Sequence, residues 1–456
     1  MRPLRVPVND LVTHGVVVGM TGSGKTGLVL VMVEEALRAK VPVLVFDIKG
    51  DLPNLLLAFP DFEAAHFEPW VPAFKAATDR RAPAEIAREL AARRQAGLKG
   101  WNLGERDLAE YTASSRLRVI TPGGMAGERL HILSGLERHS ERWKNDYAMA
   151  HEALGASVSL VLRLLKRDSD PATSRDHVFL TLLAERRLMR GEPADLATLL
   201  RDVLEPPIER VGELAIDEHL SARERRSLAT ALNTLLASPS FAAWREGASL
   251  DIEQWLEPVE GRTPGVVVST AHLDDEERAL VLGVVLEELL TWVRSLSGTQ
   301  KLRALVVFDE VYGFLPPYPA NPPTKRPLVT LLKQARAFGV GLVLATQNPM
   351  DLDYRALSNA GLWAIGRLQT DADRERVLEG LSGGDDEISR AELATIVKRL
   401  GPRWFVLRNT HAKQGPVLLQ ARWAMSWMRG PMTRTEIRRA RALHDAAADA
   451  APEVDA

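Results

Sequence analysis

Residues 15 to 37 read GVVVGMTGSGKTGLVLVMVEEAL and place a glycine-rich turn between two apolar runs. The spacing G-x-x-x-x-G-K-[ST], with a predicted strand before it and a predicted helix after it, is typical of a loop that binds nucleotide phosphates. The predicted nucleotide-binding residues are Gly19, Met20, Thr21, Gly22, Ser23, Gly24, Lys25 and Thr26. Lys25 is expected to reach the β- and γ-phosphates, and the Thr26 hydroxyl to ligate Mg²⁺. The alternative is a glycine turn that only connects strand to helix.

The composition is that of a soluble globular protein. The chain has 456 residues, 46% hydrophobic and 26% charged, with a formal net charge of -2, so a polyanion would have to meet a local basic patch. The absence of cysteine excludes disulfide scaffolds, thiolate zinc sites and cysteine nucleophiles. No run approaches the ~20 apolar residues of a membrane span, and the start lacks the apolar core of a signal peptide. We therefore expect a cytoplasmic protein without membrane insertion.

Short β-branched runs alternate with helical stretches in residues 1–132 and 257–430. This alternation predicts an α/β core with a mostly parallel sheet covered by helices. The β-branched runs disappear in residues 133–256, which we predict to be a large helical insertion or subdomain. Residues 431–456 are expected to form a basic C-terminal helix that ends in a disordered Ala/Asp tail.

The stretch ALVVFDE ends a predicted strand on two carboxylates. Asp309 is expected at the strand tip, where it can hold Mg²⁺ through water. Glu310 would then act as the base that polarises a water for attack on the γ-phosphate. An activated water indicates ATP hydrolysis, since a small-molecule kinase has no use for one. The alternative is two carboxylates that begin a solvent turn.

A polar residue, Gln347, ends the predicted strand GLVLATQ. At a strand tip such a residue can sense the γ-phosphate and change position after hydrolysis. In hydrolases of the additional-strand type, this strand lies between the phosphate-loop strand and the acidic strand. The alternative is a turn residue before Asn348 and Pro349.

Taken together, the motifs resemble the HerA-like ATPases of the HerA/FtsK group, hexameric motors that move double-stranded DNA. The matching stretches are LVTHGVVVGMTGSGKT, VFDIKGDLPNLLL, VVFDEVYGFLPP and LLKQARAFGVGLVLATQNPMDLDYRALSNAGLWAIGRLQTDADRERVLEGL. The last two are far more specific than a phosphate loop. The resemblance implies a RecA-like P-loop NTPase core, a homo-hexameric ring, and ATP shared between neighbouring subunits.

The resemblance also suggests roles for less conspicuous residues. Asp47, Lys49 and Asp51 close the second strand and would face the nucleotide, or else they only form a turn. Ring ATPases commonly need an arginine from the next subunit to stabilise charge on the γ-phosphate. Arg367, at the tip of LWAIGRLQ, is the first candidate and Arg336 the second; either can instead be a structural ion-pair partner.

The proline-rich segment PPYPANPPTKRP follows the acidic strand and is predicted to be an extended loop. It carries Lys325 and Arg326, which could grip DNA phosphates without reading sequence. The alternative is an ordinary surface loop.

These features favour an ATP-driven translocase of double-stranded DNA that works as a ring with ATP and Mg²⁺. A second hypothesis is a nucleotide-gated oligomeric scaffold that recruits a nuclease or another effector protein. A third is a motor for protein substrates, related to the ATPases of type IV secretion. Archaeal HerA motors carry an N-terminal β-barrel that docks a nuclease, whereas 14 residues precede the first predicted strand of this chain. The size of the helical insertion makes it the candidate element for binding a partner or a substrate.

Overall fold

The computed structural model describes residues 3–72, 78–137, 142–349, 352–353, 360–381, 390–412 and 415–449. The strands of this part of the chain are β1 (Gly15–Val18), β2 (Val43–Asp47), β3 (Ser115–Ile120), β4 (Leu130–His131), β5 (Arg210–Val211), β6 (Leu214–Ala215), β7 (Ala248–Ser249), β8 (Thr263–Ser269), β9 (Thr299–Asp309), β10 (Phe338–Thr346), β11 (Leu362–Ile365), β12 (Trp404–Asn409) and β13 (Val417–Gln420).

The α-helices follow in chain order. They are α1 (Lys25–Arg38), α2 (Ala64–Phe67), α3 (Pro83–Lys99), α4 (Glu105–Ser114), α5 (Arg142–Asn145), α6 (Tyr147–Leu164), α7 (Arg175–Leu188), α8 (Leu196–Leu204), α9 (Ile216–His219), α10 (Ala222–Ala237), α11 (Ala242–Arg245), α12 (Ile252–Leu256), α13 (Asp275–Ser295), α14 (Lys325–Gln334), α15 (Asp371–Leu381), α16 (Arg390–Arg399) and α17 (Arg434–Asp449). No helix among the described residues is both long and apolar enough to cross a membrane.

Nine strands form one sheet in the order β13-β12-β11-β1-β10-β9-β2-β8-β3. Every neighbouring pair from β11 to β3 is parallel, whereas β12 runs antiparallel to both of its neighbours. The mostly parallel α/β sheet predicted from the sequence is confirmed. Strand β10 lies between the phosphate-loop strand β1 and the acidic strand β9, as expected for the additional-strand arrangement.

Both faces of this sheet are buried, because alternate residues of each strand point to opposite sides. In β1, Val16 and Val18 join the apolar cluster on one face and Val17 joins the cluster on the other. Helix α1 covers the face of Val17 with its apolar residues. Helix α13 covers the opposite face, and most of its length from Leu280 to Val293 is buried. Such enclosure explains why the central strands read as continuous apolar runs.

The segment between β3 and β8 is mainly helical and packs against the sheet through α13. Helix α6 contacts α13 directly. The two-residue strands β4 and β7 pair in parallel, so they join the start of this segment to its end. The sequence gives no signal for so short a pair. The boundaries 133 and 256 of an insertion remain a prediction.

Helix α17 lies on the core and its arginines make specific contacts there. Ile437 and Ala440 are buried, and the Arg439 guanidinium lies 5.7 Å from the centre of the Trp70 ring. Arg441 donates a hydrogen bond to the Gly127 carbonyl at 3.1 Å. This basic helix therefore has a packed face. The disordered tail predicted after it lies outside the described residues.

His14, directly before β1, is a buried histidine held by hydrogen bonds at both ring nitrogens. His14 is 2% exposed, its Nδ1 accepts from the Leu342 N–H at 3.1 Å, and its Nε2 lies 3.1 Å from the Leu332 carbonyl oxygen. A neutral ring with its proton on Nε2 satisfies both contacts. Burial lowers the pKa of His14 to about 4. Folding therefore stabilises the neutral ring.

We expect acid to destabilise the protein through His14. Between about pH 6.5 and pH 4 the unfolded chain binds a proton at this residue that the folded chain does not, so stability falls as the pH falls through that window. His14 should lower the free energy of unfolding by about 2 kcal/mol between pH 7.5 and pH 5. Urea unfolding at both pH values measures the loss of stability on acidification for the wild type and for His14→Gln. The difference between these two losses is the contribution of His14. Equal pH dependences would contradict the assignment.

Candidate active site

The phosphate loop links β1 to α1 and depends on two glycines with positive φ. Gly22 has φ 78° and Gly24 has φ 91°, a region that side chains with a Cβ rarely adopt. Gly24 is also the N-cap of α1 and offers no side chain to cap the helix. The first N–H groups of α1 are consequently available to a ligand, and the helix dipole favours an anion there.

Two neighbouring strands hold the loop in place. The Gly19 N–H donates to the carbonyl oxygen of Thr346 at 3.2 Å, at the end of β10. The Met20 N–H donates to the carbonyl oxygen of Arg367 at 2.9 Å, just beyond β11. The loop is thus anchored on both sides of β1. Its shape depends on the tertiary fold as well as on its glycines.

An ion pair connects the loop to the end of the acidic strand. The Lys25 Nζ lies 2.6 Å from Oε2 of Glu310, and the side chains are 5% and 13% exposed. The Lys49 Nζ lies 3.3 Å from the same oxygen. Burial lowers the pKa of Lys25, and the bond to Glu310 opposes that shift. Glu310 has φ 63°, an uncommon backbone conformation that places its carboxylate beside the loop rather than along the strand.

Asp309 lies deeper than Glu310. It is 2% exposed, and its Oδ1 has no hydrogen-bond partner among the described residues. Burial raises the pKa of Asp309 to about 7, and the charge of Lys25 opposes the shift. A buried carboxylate oxygen without a donor is a suitable ligand for a hydrated cation. Thr26, the second residue of α1, is partly buried at the same loop. The donor set therefore fits Mg²⁺.

The three residues after β2 have different surroundings. Asp47 is fully buried, where its Oδ1 accepts from the Gly50 N–H at 3.0 Å and its Oδ2 from the Ser269 hydroxyl at 2.8 Å. These bonds make Asp47 a structural group that shapes the turn. Lys49 reaches Glu310, and Asp51 is half-buried with a pKa raised by burial. Of the three, only Lys49 contacts a predicted catalytic residue.

Gln347 lies directly beside the phosphate loop. The Thr21 hydroxyl donates to its Oε1 at 2.6 Å. The tip of β10 and the loop are therefore in hydrogen-bond contact, the geometry that a γ-phosphate sensor requires. The role itself remains a prediction.

The two arginines considered for action in trans lie at opposite ends of the sheet. Arg367 is exposed, and its backbone bonds to the phosphate loop of its own subunit. Arg336 is exposed before the start of β10. A strand of nine residues spans about 30 Å, so Arg336 is far from its own loop.

The prediction that Lys325 and Arg326 lie on an extended loop is wrong. Both begin helix α14, whose first turn tolerates Pro327 because the N–H that proline lacks has no partner there. The Lys325 Nζ donates to the Ala320 carbonyl oxygen at 3.1 Å and lies 3.6 Å from Asp353.

The Arg326 guanidinium pairs with Glu152 and lies 4.0 Å from Glu287, at a cavity of about 1000 Å³ between the helical segment and α13. Both cations therefore contact acidic groups of their own chain. They are not brought to the nucleotide loop.

Arg403 also lies at the phosphate loop, although the sequence does not predict it there. This residue precedes β12, and its N–H donates to the Ser23 carbonyl oxygen at 2.7 Å. A Cβ on Gly24 would lie 2.8 Å from its Cγ. Arg403 has φ 65°, and nothing in the local sequence GPRW predicts that a residue so far along the chain lies against the loop.

The first part of the chain is similar to a known protein family. Residues 2–117 match the family described as Helicase HerA, central domain. This span includes the phosphate loop and β2 but ends before the acidic strand. The resemblance to HerA-like ATPases inferred from the sequence is thereby confirmed. No curated protein sequence matches the chain.

Two solved structures share the fold over most of its length. VirB4 of Thermoanaerobacter pseudethanolicus has a TM-score of 0.51 and 13% identity, covering 90% of this chain and 89% of that chain. The unbound monoclinic form of the bacterial conjugative coupling protein TrwBdeltaN70 also has a TM-score of 0.51 and 13% identity, covering 94% of this chain and 89% of that one. At this identity the similarity concerns the fold, and it confirms the RecA-like P-loop core.

The loop geometry predicts unequal effects for two glycine substitutions. Both Gly22→Ala and Gly24→Ala place a Cβ at positive φ, at about 1–2 kcal/mol each. No atom lies within 4 Å of a Cβ at Gly22, whereas a Cβ at Gly24 would meet the backbone of Arg403 at 3.0 Å. We expect Gly24→Ala to lower the free energy of unfolding by roughly 1 kcal/mol more than Gly22→Ala. Urea unfolding measures both, and equal losses would contradict this packing.

Proposed function

We propose that the chain is an ATP-hydrolysing motor of the HerA/FtsK type that translocates double-stranded DNA as a homo-hexameric ring. One observation carries the proposal. Lys25, Glu310 and Gln347 come from three separate parts of the chain and meet at one edge of the sheet, with contacts of 2.6 Å between Lys25 and Glu310 and between Thr21 and Gln347. A glycine turn that only connected β1 to α1 would need neither contact.

In this proposal Lys25 changes partner when nucleotide binds. A γ-phosphate competes with Glu310 for the Lys25 ammonium, because both are anions within its reach. The released Glu310 carboxylate then accepts a proton from the attacking water, while Lys49 continues to hold it near the loop. Gln347 would contact the γ-phosphate from the tip of β10. When bound, Mg²⁺ neutralises charge on the phosphates, and Asp309 and Thr26 would hold it.

The arginine supplied by a neighbouring subunit is proposed from the positions of the two candidates. Arg367 lies next to the phosphate loop of its own subunit. Its exposed side chain can therefore reach the nucleotide of its own subunit or, at a subunit contact, that of a neighbour. Arg336, at the opposite end of β10 from the loop, can reach only a nucleotide on another subunit. Both stay candidates for the trans role.

A scaffold that recruits an effector protein is the second candidate. It is favoured by the ion pairs of Lys325 and Arg326, which engage the cations proposed to contact DNA. The helical segment, with the cavity against α13, would then be the element that binds the partner. A motor for protein substrates is the third candidate and would share the same nucleotide site.

DNA dependence of ATP hydrolysis separates these functions. We expect linear double-stranded DNA to raise the hydrolysis rate of the purified full-length protein at least several-fold at low salt. The stimulation should weaken steeply as salt rises, because contacts to DNA phosphates release counterions. Steady-state phosphate release with and without DNA measures the effect. An assembled, hydrolysing preparation that DNA does not stimulate would exclude the DNA motor and favour the scaffold or a protein substrate.

Two substitutions test the catalytic assignments. Lys25→Ala should abolish nucleotide binding, because it removes the cation that contacts the β- and γ-phosphates. Glu310→Gln should keep ATP bound and lower the hydrolysis rate by about 10²–10⁴-fold, the usual contribution of a general base. Equilibrium binding and single-turnover hydrolysis of ATP measure the two effects. If Glu310→Gln hydrolyses ATP at the wild-type rate, Glu310 is not the base.

A further inference from the structure

The sheet order defines two sides of the phosphate loop. Strands β10 and β9, which carry Gln347 and Glu310, lie on one side of β1, while β11, β12 and β13 lie on the other. The γ-phosphate must face the first side, since Glu310 and Gln347 act on it in the proposed function. The base and the γ-phosphate lie at opposite ends of a nucleoside triphosphate, so we expect the base to extend toward the other side. The residue found there, against Ser23 and Gly24, is Arg403.

Arg403 belongs to a cation–aromatic cluster formed by Trp101, Arg403 and Trp423. Its guanidinium lies 3.5 Å from the centre of the Trp423 ring and 5.4 Å from that of Trp101. Trp423 is 50% exposed, which is high for so large an aromatic side chain. The positive φ of Arg403 adds backbone strain at the same point. The strain at Arg403 and the exposed indole packed against its guanidinium both point to a ligand.

The segment that carries Trp423 is held firmly on the core. The preceding residue, Arg422, bonds to the fully buried Glu34 of α1 at 2.8 Å. The Glu34 carboxylate also accepts the N–H groups of Met425 and Ser426, at 2.9 and 2.7 Å. On the other side, a Cβ on Gly97 would lie 3.6 Å from Cδ1 of Trp423, so helix α3 supports the edge of the indole. The platform is therefore preorganised for stacking.

We infer that Trp423 and Arg403 form the nucleobase-binding surface of this site and that it takes a purine. An indole face and a planar guanidinium both stack on nucleobases, and a purine offers the larger ring area. The inference rests on the proposed function, because the phosphates must lie in the loop for the base to reach the cluster. The substitution to test is Trp423→Ala, which changes neither the loop nor Arg403, the residue that bonds to Ser23.

Comparing ATP with inorganic tripolyphosphate isolates the contribution of the base. Isothermal titration calorimetry of the full-length protein with Mg²⁺ present should show Trp423→Ala weakening ATP binding about tenfold, as expected for loss of one stacking contact. Tripolyphosphate affinity should change less than twofold, because that ligand has no base. Trp423→Phe should retain most of the ATP affinity. Leu418→Ala, an exposed apolar substitution in the neighbouring strand β13, serves as the matched control and should bind both ligands as the wild type does.

Lys25→Ala distinguishes failure of this inference from failure of the proposed function. If Lys25→Ala abolishes binding of both ligands while Trp423→Ala binds ATP as the wild type does, the base does not lie on Trp423 and the nucleotide site stands. Equal weakening of ATP and tripolyphosphate by Trp423→Ala would also overturn the inference, since it would show a general loss of structure. If the wild type binds neither ligand, both the inference and the proposed function are wrong.

Discussion

The placement of β10 between β1 and β9 is the constraint on which the site depends. Because these strands are parallel and in register, with Val18 beside Thr346 and Leu344 beside Phe308, their carboxyl ends meet at one edge of the sheet. That edge is where the chain leaves β1 for the phosphate loop and β9 for Glu310. The 2.6 Å contact between Lys25 and Glu310 is a consequence of this register. A different strand order would separate the cation from the base.

The same edge concentrates charge in a region that excludes water. Asp47 and Asp309 lie side by side on neighbouring strands, and burial raises the pKa of both carboxyls. Asp47 has donors for both of its oxygens, so its position serves the fold. Asp309 has an oxygen without a partner in the described structure, so its surroundings suit a cation better than they suit an isolated carboxylate. Two neighbouring acids thus differ because their hydrogen-bond donors differ.

Much of the core could be predicted from local patterns. A strand buried on both faces needs a continuous apolar run, and a phosphate loop needs glycines at positive φ, so both features leave direct marks in the sequence. The start of α14 was harder to predict, because prolines favour extended backbone on average yet are compatible with the first turn of a helix. The error about Lys325 and Arg326 follows from that ambiguity. Their acidic partners come from distant segments, including Glu152 and Asp353.

The sequence by itself determined the phosphate loop, the acidic strand tip and the apolar strands, because each is encoded by adjacent residues whose chemistry is local. Only the tertiary structure decided that Glu310 pairs with Lys25 and that Arg403 lies against Gly24, since each contact joins segments more than 280 residues apart in the chain. Spacing along a sequence does not by itself set strand order across a sheet, and the position of β10 was expected only by analogy with hydrolases of the additional-strand type. The neighbours of the phosphate loop are set by that order, and it arises from the packing of helices on both faces of the sheet.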